Sequence, residues 1–291
     1  MSNRSRLEIS KKDIISVFEN SNKKAYSESD LTGILLEHSD FWRLGQNITT
    51  GKLIEFLIKK RILNIAKLKS ERGDIVRYYR GDDFLYEIAL SIRSRSYLSH
   101  YTAVFFYGLT DQIPKTIYVN YEQSRKNTGN VSLKQKGIDD AFKKPVRVSH
   151  NIYSCSDHNI CVLNGKHTGH LGVCELKDPS LSNLKVTDIE RTLIDIAVRP
   201  VYAGGIYEVQ QAFKRALEQV SVNKLTALLK KINYIYPYHQ VIGFYLDRAG
   251  CKQKLLDLLV ELGMDYDFYL THQMGKTSYS KKWRLFYPKD F

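Results

Sequence analysis

Six residues between positions 155 and 174 carry side chains that bind zinc: Cys155, His158 and Cys161, then His167, His170 and Cys174. Their intervals match no common structural zinc spacing, and cysteine on a predicted strand is usually a small apolar core residue. Glu175-Leu176-Lys177 follows on a predicted strand, where two-residue alternation puts Glu175 and Lys177 on one face. With Asp157 upstream they outline the acids and lysine with which a metal-dependent nuclease holds Mg²⁺ and supports the attacking water; the plain alternative is a solvated strand end. Gly275-Lys276-Thr277 ends like a phosphate-binding loop, but Leu270 stands where the first glycine belongs, and no GxSxG elbow occurs. Asp188, Glu190, Arg191 and Asp195 fall within about two helical turns, with Arg191 and Asp195 spaced for an i,i+4 ion pair and Glu190 in the first turn, where a carboxylate suits the helix dipole. That cluster either organises a helix start or touches a partner. Tyr97, Ser99 and His100 open another predicted helix, where His100 reads as a hydrogen-bonded packing residue. No catalytic residue, no metal and no cofactor is therefore assigned.

The chain that positions these groups has 291 residues, enough for two domains and a sizeable core. Hydrophobic residues make up 43%, and the 44 Lys+Arg exceed the 31 Asp+Glu by 13. Such a surplus favours polyanionic partners: nucleic acid, an anionic membrane or an acidic protein. The start, MSNRSRLEISKKD, lacks the apolar stretch of a secretory signal, and no run has the 18 or so apolar residues of a membrane span. Four cysteines are too few for a disulfide scaffold. The expectation is a soluble cytoplasmic protein with reduced thiols.

Residues 1–85 read as three helices and a hairpin. Ser10 caps the first helix, whose face is Ile14, Ile15, Val17 and Phe18. Ser27 caps the second, with Asp30 as the acid of a capping box and Leu31, Ile34, Leu35 and Leu36 inward. Thr49 or Thr50 caps the third, Gly51–Leu63, whose Leu53, Ile54, Leu57, Ile58 and Ile62 make a stripe of period near 3.6. Ile65–Leu68, a turn over 69–74 and Ile75–Tyr79 then read as a β-hairpin. This is the plan of a winged helix-turn-helix. Gln46, Asn47, Thr49, Thr50, Lys52 and Lys59 on the third helix, and Lys69, Arg72 and Arg77 on the hairpin, are the candidate DNA-binding residues, suited to phosphates and base edges. A winged helix used only for protein contacts is the alternative. Residues 1–85 hold 16 Lys+Arg against 12 Asp+Glu, and the remainder 28 against 19, so the charge does not favour one part.

Residues 86–291 read as a larger α+β domain, strands first and helices after. Glu87–Ser96 bridges the halves. Ser99 caps a helix to about Tyr107, with Gly108 as its terminator. Thr116–Asn120, Val146–Ile152, Ile160–Leu163 and Leu171–Leu176 read as strands, and the basic stretch Ser124–Lys144 as a long loop or irregular hairpin. Thr187 or Asp188 caps a helix Ile189–Val198. Helical patterns follow at Ile206–Gln219, Asn223–Tyr234, His239–Ala249 and Lys252–Leu262, and Lys282–Pro288 looks extended.

YLSHYTAVFFYGLTDQIPKTIYV (97–119), VTDIERTLIDIAVRPVYAGGIYEV (186–209) and the terminal KWRLFYP (282–288) resemble characteristic blocks of the AbiEi family, the antitoxins of type IV toxin–antitoxin modules known from phage abortive infection. The resemblance covers most of the chain, and residues 120–180 are its least diagnostic part. It implies an N-terminal winged helix that binds inverted repeats in double-stranded DNA of the module's own promoter and represses it. It also implies a C-terminal domain that counteracts a nucleotidyltransferase-like toxin, with direct contact left open, and no enzymatic activity; no membrane partner is expected, since no apolar run is long enough to span one. Tyr97, Ser99, His100, Asp188, Glu190, Arg191 and Asp195 lie in the matching blocks. Two other classes stay open: a metal-dependent nuclease or defence effector working through the second domain, and a ligand-sensing transcription factor.

Overall fold

The computed structural model describes residues 5–81, 84–125, 132–176 and 184–291, and the chain is mixed α+β. The head runs α1 (Arg6–Ile9), α2 (Lys11–Glu19), β1 (Ala25–Tyr26), α3 (Glu28–His38), α4 (Thr50–Lys59), β2 (Asn64–Leu68) and β3 (Ile75–Tyr79). At the start of α3 the predicted capping box forms: the Asp30 amide donates to Ser27 Oγ at 3.2 Å, and the Ser27 amide to Asp30 Oδ2 at 2.7 Å. Ser10 does stand at the α2 N-cap, but its hydroxyl donates to the Trp42 carbonyl at 2.6 Å instead of capping. That bond ties α2 to the α3–α4 connection. Ile14, Phe18, Leu31, Trp42, Leu53 and Leu57 close the helical core.

The head sheet has the order β1-β3-β2, and β1, only Ala25–Tyr26, pairs antiparallel with Tyr79 and Tyr78. Opposed residues of an antiparallel pair share a face, so Ile65↔Tyr78 and Lys67↔Val76 lie on one side of the hairpin, and Ala66↔Arg77 and Leu68↔Ile75 on the other. Tyr78 packs into the helical core. Ala66 and Leu68 instead join a second core with Ile88, Leu98, Val119 and Ile160. Full burial of a leucine contributes roughly 1.5–3 kcal/mol, so the hairpin is a wall shared by two interiors. The seam is also polar: Lys69 exchanges backbone hydrogen bonds with Ser154 at 3.0 and 2.8 Å, and Lys24 lies 3.4 Å from the Glu87 carboxylate.

The body begins with α5 (Leu85–Ser91), β4 (Tyr97–Leu98), α6 (His100–Phe106), β5 (Thr116–Glu122), α7 (Gln135–Phe142), β6 (Ile152–Cys155), β7 (His158–Gly165), β8 (Val173–Glu175) and β9 (Lys185–Thr187). It continues with α8 (Ile189–Val198), a 3₁₀ turn (Pro200–Tyr202), α9 (Ile206–Ala216), α10 (Val222–Ile232), α11 (Tyr238–Arg248), α12 (Gln253–Val260), β10 (Phe268–Tyr269), β11 (Thr277–Ser280) and β12 (Leu285–Pro288). The central sheet has six strands in the order β6-β7-β5-β4-β9-β8, and β10, β12 and β11 form a small third sheet. Leu193, Ile196, Phe213, Ile242 and Trp283 build the core of the helical layer. A Cβ at Gly243 would stand 2.0 Å from the Trp283 ring, so only glycine lets the α11 backbone approach it.

Two sequence expectations are corrected here. Of the expected strand Val146–Ile152, residues 146–151 are not strand and only Ile152 enters β6. The stretch 124–144, expected as loop, contains α7, which buries Ile138 and Phe142 against the helical core. Lys126 and Lys177 lie outside the described residues. No helix among the described residues is long and apolar enough to cross a membrane.

Candidate nucleic-acid interface

The start of α4 presents polar side chains outward. Thr49 accepts the Lys52 amide at 3.4 Å as N-cap, and Lys52 Nζ donates to the Asn47 carbonyl at 2.9 Å. Gln46, Asn47, Thr49 and Lys52 are exposed, and Glu55 and Lys59 continue the exposed side of the helix while Leu53, Ile54, Phe56 and Leu57 are buried. Thr50 is half-buried, its hydroxyl 3.1 Å from that of Thr32 on α3. The contact leaves Thr50 less free than its neighbours to meet a ligand. Free amides at a helix start attract phosphate, and a lysine within the first turn adds charge there.

Of the predicted hairpin residues, Lys69 and Arg72 are exposed at the tip. Arg77 is placed differently. Its Nε donates to Ser91 Oγ at 3.0 Å, one terminal nitrogen to the Ser91 carbonyl at 3.2 Å, and the other to the Val76 carbonyl at 2.8 Å. Burial pulls its pKa below the ordinary value. Arg77 therefore holds the seam against α5 and does not point outward with the tip. The physical reason is register: Arg77 opposes Ala66 on the face that belongs to the second core. Lys67, overlooked in the sequence, is exposed on the other hairpin face, two residues before Lys69. Period-two spacing was the signal for it.

The second group of candidates closes inward. The α8 N-cap Asp188 accepts the Arg191 amide at 2.8 Å, and Glu190, Arg191 and Asp195 are all buried. Arg191 Nε donates to Asp195 Oδ1 at 2.8 Å, and its terminal nitrogens reach the Leu171 carbonyl at 2.6 Å, Thr168 Oγ1 at 3.1 Å and Tyr97 OH at 3.4 Å. Burial pulls down on the guanidinium, and the adjoining Asp195 carboxylate more than reverses this, so its pKa stands above the ordinary arginine value. Lys224 bridges Asp188 and Glu190 at 2.9 and 2.7 Å, and the Ser221 amide donates to Glu190 at 3.0 Å. Two partners had no local signal in the sequence. Asn120 Nδ2 donates to Tyr97 OH at 2.7 Å. Glu122 accepts the amides of Thr168, Gly169 and His170 at 2.8, 2.9 and 3.2 Å, and the Thr168 hydroxyl as well. Burial raises the Glu122 carboxyl and these hydrogen bonds outweigh it, holding its pKa below the ordinary value. Ser99 Oγ lies 2.9 Å from His100 Nδ1. His100 starts α6 at φ +52°, a left-handed backbone, and burial lowers its imidazole pKa to about 4. It is a neutral packing histidine, and the whole cluster ties the sheet to the helical layer.

The zinc and nuclease geometries do not assemble. Cys155 packs in the core shared with the hairpin, whereas Cys161 packs with Leu163 and Tyr202 in another cluster, and Cys174 is exposed beside Tyr107 OH. Among the described residues no group of three His, Cys, Asp or Glu side chains is placed to hold a metal ion. Glu175 lies on β8 and Asp157 in the β6–β7 turn, at opposite edges of the six-stranded sheet. At about 4.8 Å per strand they stand roughly 20 Å apart, too far to share an ion.

No family model matches the chain, and no curated protein matches it. Among solved structures, the RV2827C protein from Mycobacterium tuberculosis is similar with a TM-score of 0.55 and 15% identity, over 97% of this chain and 92% of that one. At that identity the likeness concerns the fold alone.

Proposed function

We propose that the chain is a DNA-binding autorepressor and antitoxin, with the head acting as a winged helix-turn-helix on inverted repeats of its own promoter. The body, divided from it near residue 85, counteracts a nucleotidyltransferase-like toxin without catalysing a reaction. The observation that carries the DNA half is the juxtaposition in the head: a helix start with Gln46, Asn47, Thr49 and Lys52 exposed, followed by a hairpin that exposes Lys67 on one face and Lys69 and Arg72 at its tip. Exposed amides, short polar groups and lysines are what phosphate and base-edge contacts use. The AbiEi-like blocks support the antitoxin half, and the burial of Glu190, Arg191 and Asp195, with Asp188 half-buried as the N-cap, supports an organising role for them within it.

The test is an electrophoretic mobility shift with the duplex upstream of the protein's own reading frame against a scrambled duplex of equal length. Preferential binding that weakens steeply with salt is expected. Equal indifference to both duplexes at low salt removes the repressor. The antitoxin half is checked by co-expression with a neighbouring nucleotidyltransferase-like protein, if the locus encodes one; unrelieved toxicity removes it.

A further inference from the structure

The free margin of the six-stranded sheet carries an observation unrelated to DNA. β6 is an edge strand, yet its outer side already accepts one rung of pairing: the Ser154 amide and carbonyl bond to Lys69 of the hairpin. The inner side of the edge takes the odd residues, since the Val162 amide donates to the Asn151 carbonyl. By the same two-residue period the N–H and C=O of Ile152 point outward, past the hairpin tip, where no strand of the described residues covers them. The segment before β6 is tied down by side-chain hydrogen bonds. The Ser149 amide donates to Tyr202 OH at 2.7 Å, Ser149 Oγ donates to the Val162 carbonyl at 2.8 Å, and the Asn151 amide donates to Ser149 Oγ at 3.2 Å. A margin of this kind is a ready template for an added strand.

Side chains along the margin fit one class of occupant. Val148 is 44% and Ile152 43% exposed, two β-branched groups four residues apart left open to water. Between Lys143 and Ser154 the sequence KKPVRVSHNIYS has no acidic residue, and Lys143, Lys144 and Arg147 are exposed. We propose that this margin docks an extended, acidic segment of a partner protein, which adds a strand along Val148–Ile152, sets aliphatic residues on Val148 and Ile152, and places carboxylates by Lys143, Lys144 and Arg147. Outward backbone groups and exposed β-branched side chains favour a polypeptide over a nucleic acid, which has no use for either. The surface goes beyond the DNA reading and does not depend on it.

Fluorescence anisotropy of the full chain with a short labelled peptide of alternating valine and glutamate tests this. Saturable binding is expected. Affinity should fall at least about tenfold for the same peptide N-methylated on alternate amides, for Ile152→Pro, which removes an outward N–H while leaving the β6–β7 ladder, and for Ile152→Glu, which repels carboxylates without touching the backbone. Reversing Lys143, Lys144 and Arg147 to glutamate should transfer preference to a valine–lysine peptide. Circular dichroism melts that match the wild type show the variants folded. Absence of saturable binding, or N-methylation without effect, overturns the proposal. So does a charge reversal that weakens only duplex binding, because the margin then belongs to nucleic acid.

Discussion

The starts of α4 and α8 share one local construction and have opposite fates. In each, a short polar N-cap, Thr49 or Asp188, accepts the amide three residues on, and that residue is a cation, Lys52 or Arg191. Lys52 is exposed and leans on its own loop. Arg191 is 2% exposed and divides its donors among Asp195, Leu171, Thr168 and Tyr97. The difference comes from what surrounds the helix. α4 buries one stripe, whereas every residue from Glu190 to Ala197 of α8 is buried, because α8 is packed among the helices α6, α9, α10 and α11. A helix start facing water has polar groups left for another molecule; one facing the interior has them committed to its own chain.

That contrast can be broken most sharply at Arg191. Arg191→Ala leaves Asp195 buried without its cation, and a loss of about 3–5 kcal/mol in denaturant unfolding is expected. Lys52→Ala should leave the unfolding midpoint unchanged. Equal effects of the two would end the distinction.

The next effect is a pH dependence set by buried histidines of the body. The unfolded chain protonates histidine near 6.5, and His100 in the folded state only near 4. A depressed folded pKa means that the stability is fully present above pH 6.5 and is lost as pH falls toward 4, by about 3 kcal/mol over that window. His239, also lowered by burial, adds in the same direction. His100→Asn keeps a side chain tolerant of a left-handed backbone and should flatten the slope of stability between pH 6.5 and 4.5. An unaltered slope would place the proton uptake elsewhere.

On the exposed side, Thr50→Ala combined with Lys52→Ala should weaken duplex affinity about tenfold while leaving the melt nearly intact. Lys67, Lys69 and Arg72 changed one at a time to alanine should each make the dependence of log affinity on log salt shallower, by about 0.9 for every phosphate that the side chain neutralises. Arg77→Ala sharpens the test. Its guanidinium braces the seam, so stability should move and the salt slope should not; the reverse result would return Arg77 to the DNA face. The smallest change is Ser27→Ala, which removes one side of the α3 capping box and should cost about 1 kcal/mol.

Much of the local structure was legible because local chemistry determines it. Ser27 with Asp30, Thr49 before an amphipathic stripe, and Asp188 before Ile189–Val198 each mark a helix start through bonds within a few residues. The hairpin was legible from its alternation and turn. What escaped depends on distant partners. β1 is two residues long and exists only because β3 pairs with it. α7 buries just Ile138 and Phe142 from a stretch dense in lysine, so its apolar signal is thin. Residues 146–151 have strand composition but mostly lack a strand to join. The same limit governed the candidate site. Sequence named Arg77 as basic and near the tip, but the side of the hairpin it occupies was settled by a core whose other members lie beyond residue 85. The Glu122 link to residues 168–170 spans more than forty positions and leaves no local trace.

The hairpin with two interiors also has a history within each synthesis. Ala66 and Leu68 emerge from the ribosome long before Val119, Ile160 and Val162, with which they share a core. Ile160 follows Leu68 by roughly ninety positions, which at about 5–20 residues per second is about 5–20 s of translation. During that interval the hairpin's apolar flank lacks the residues that later share its core.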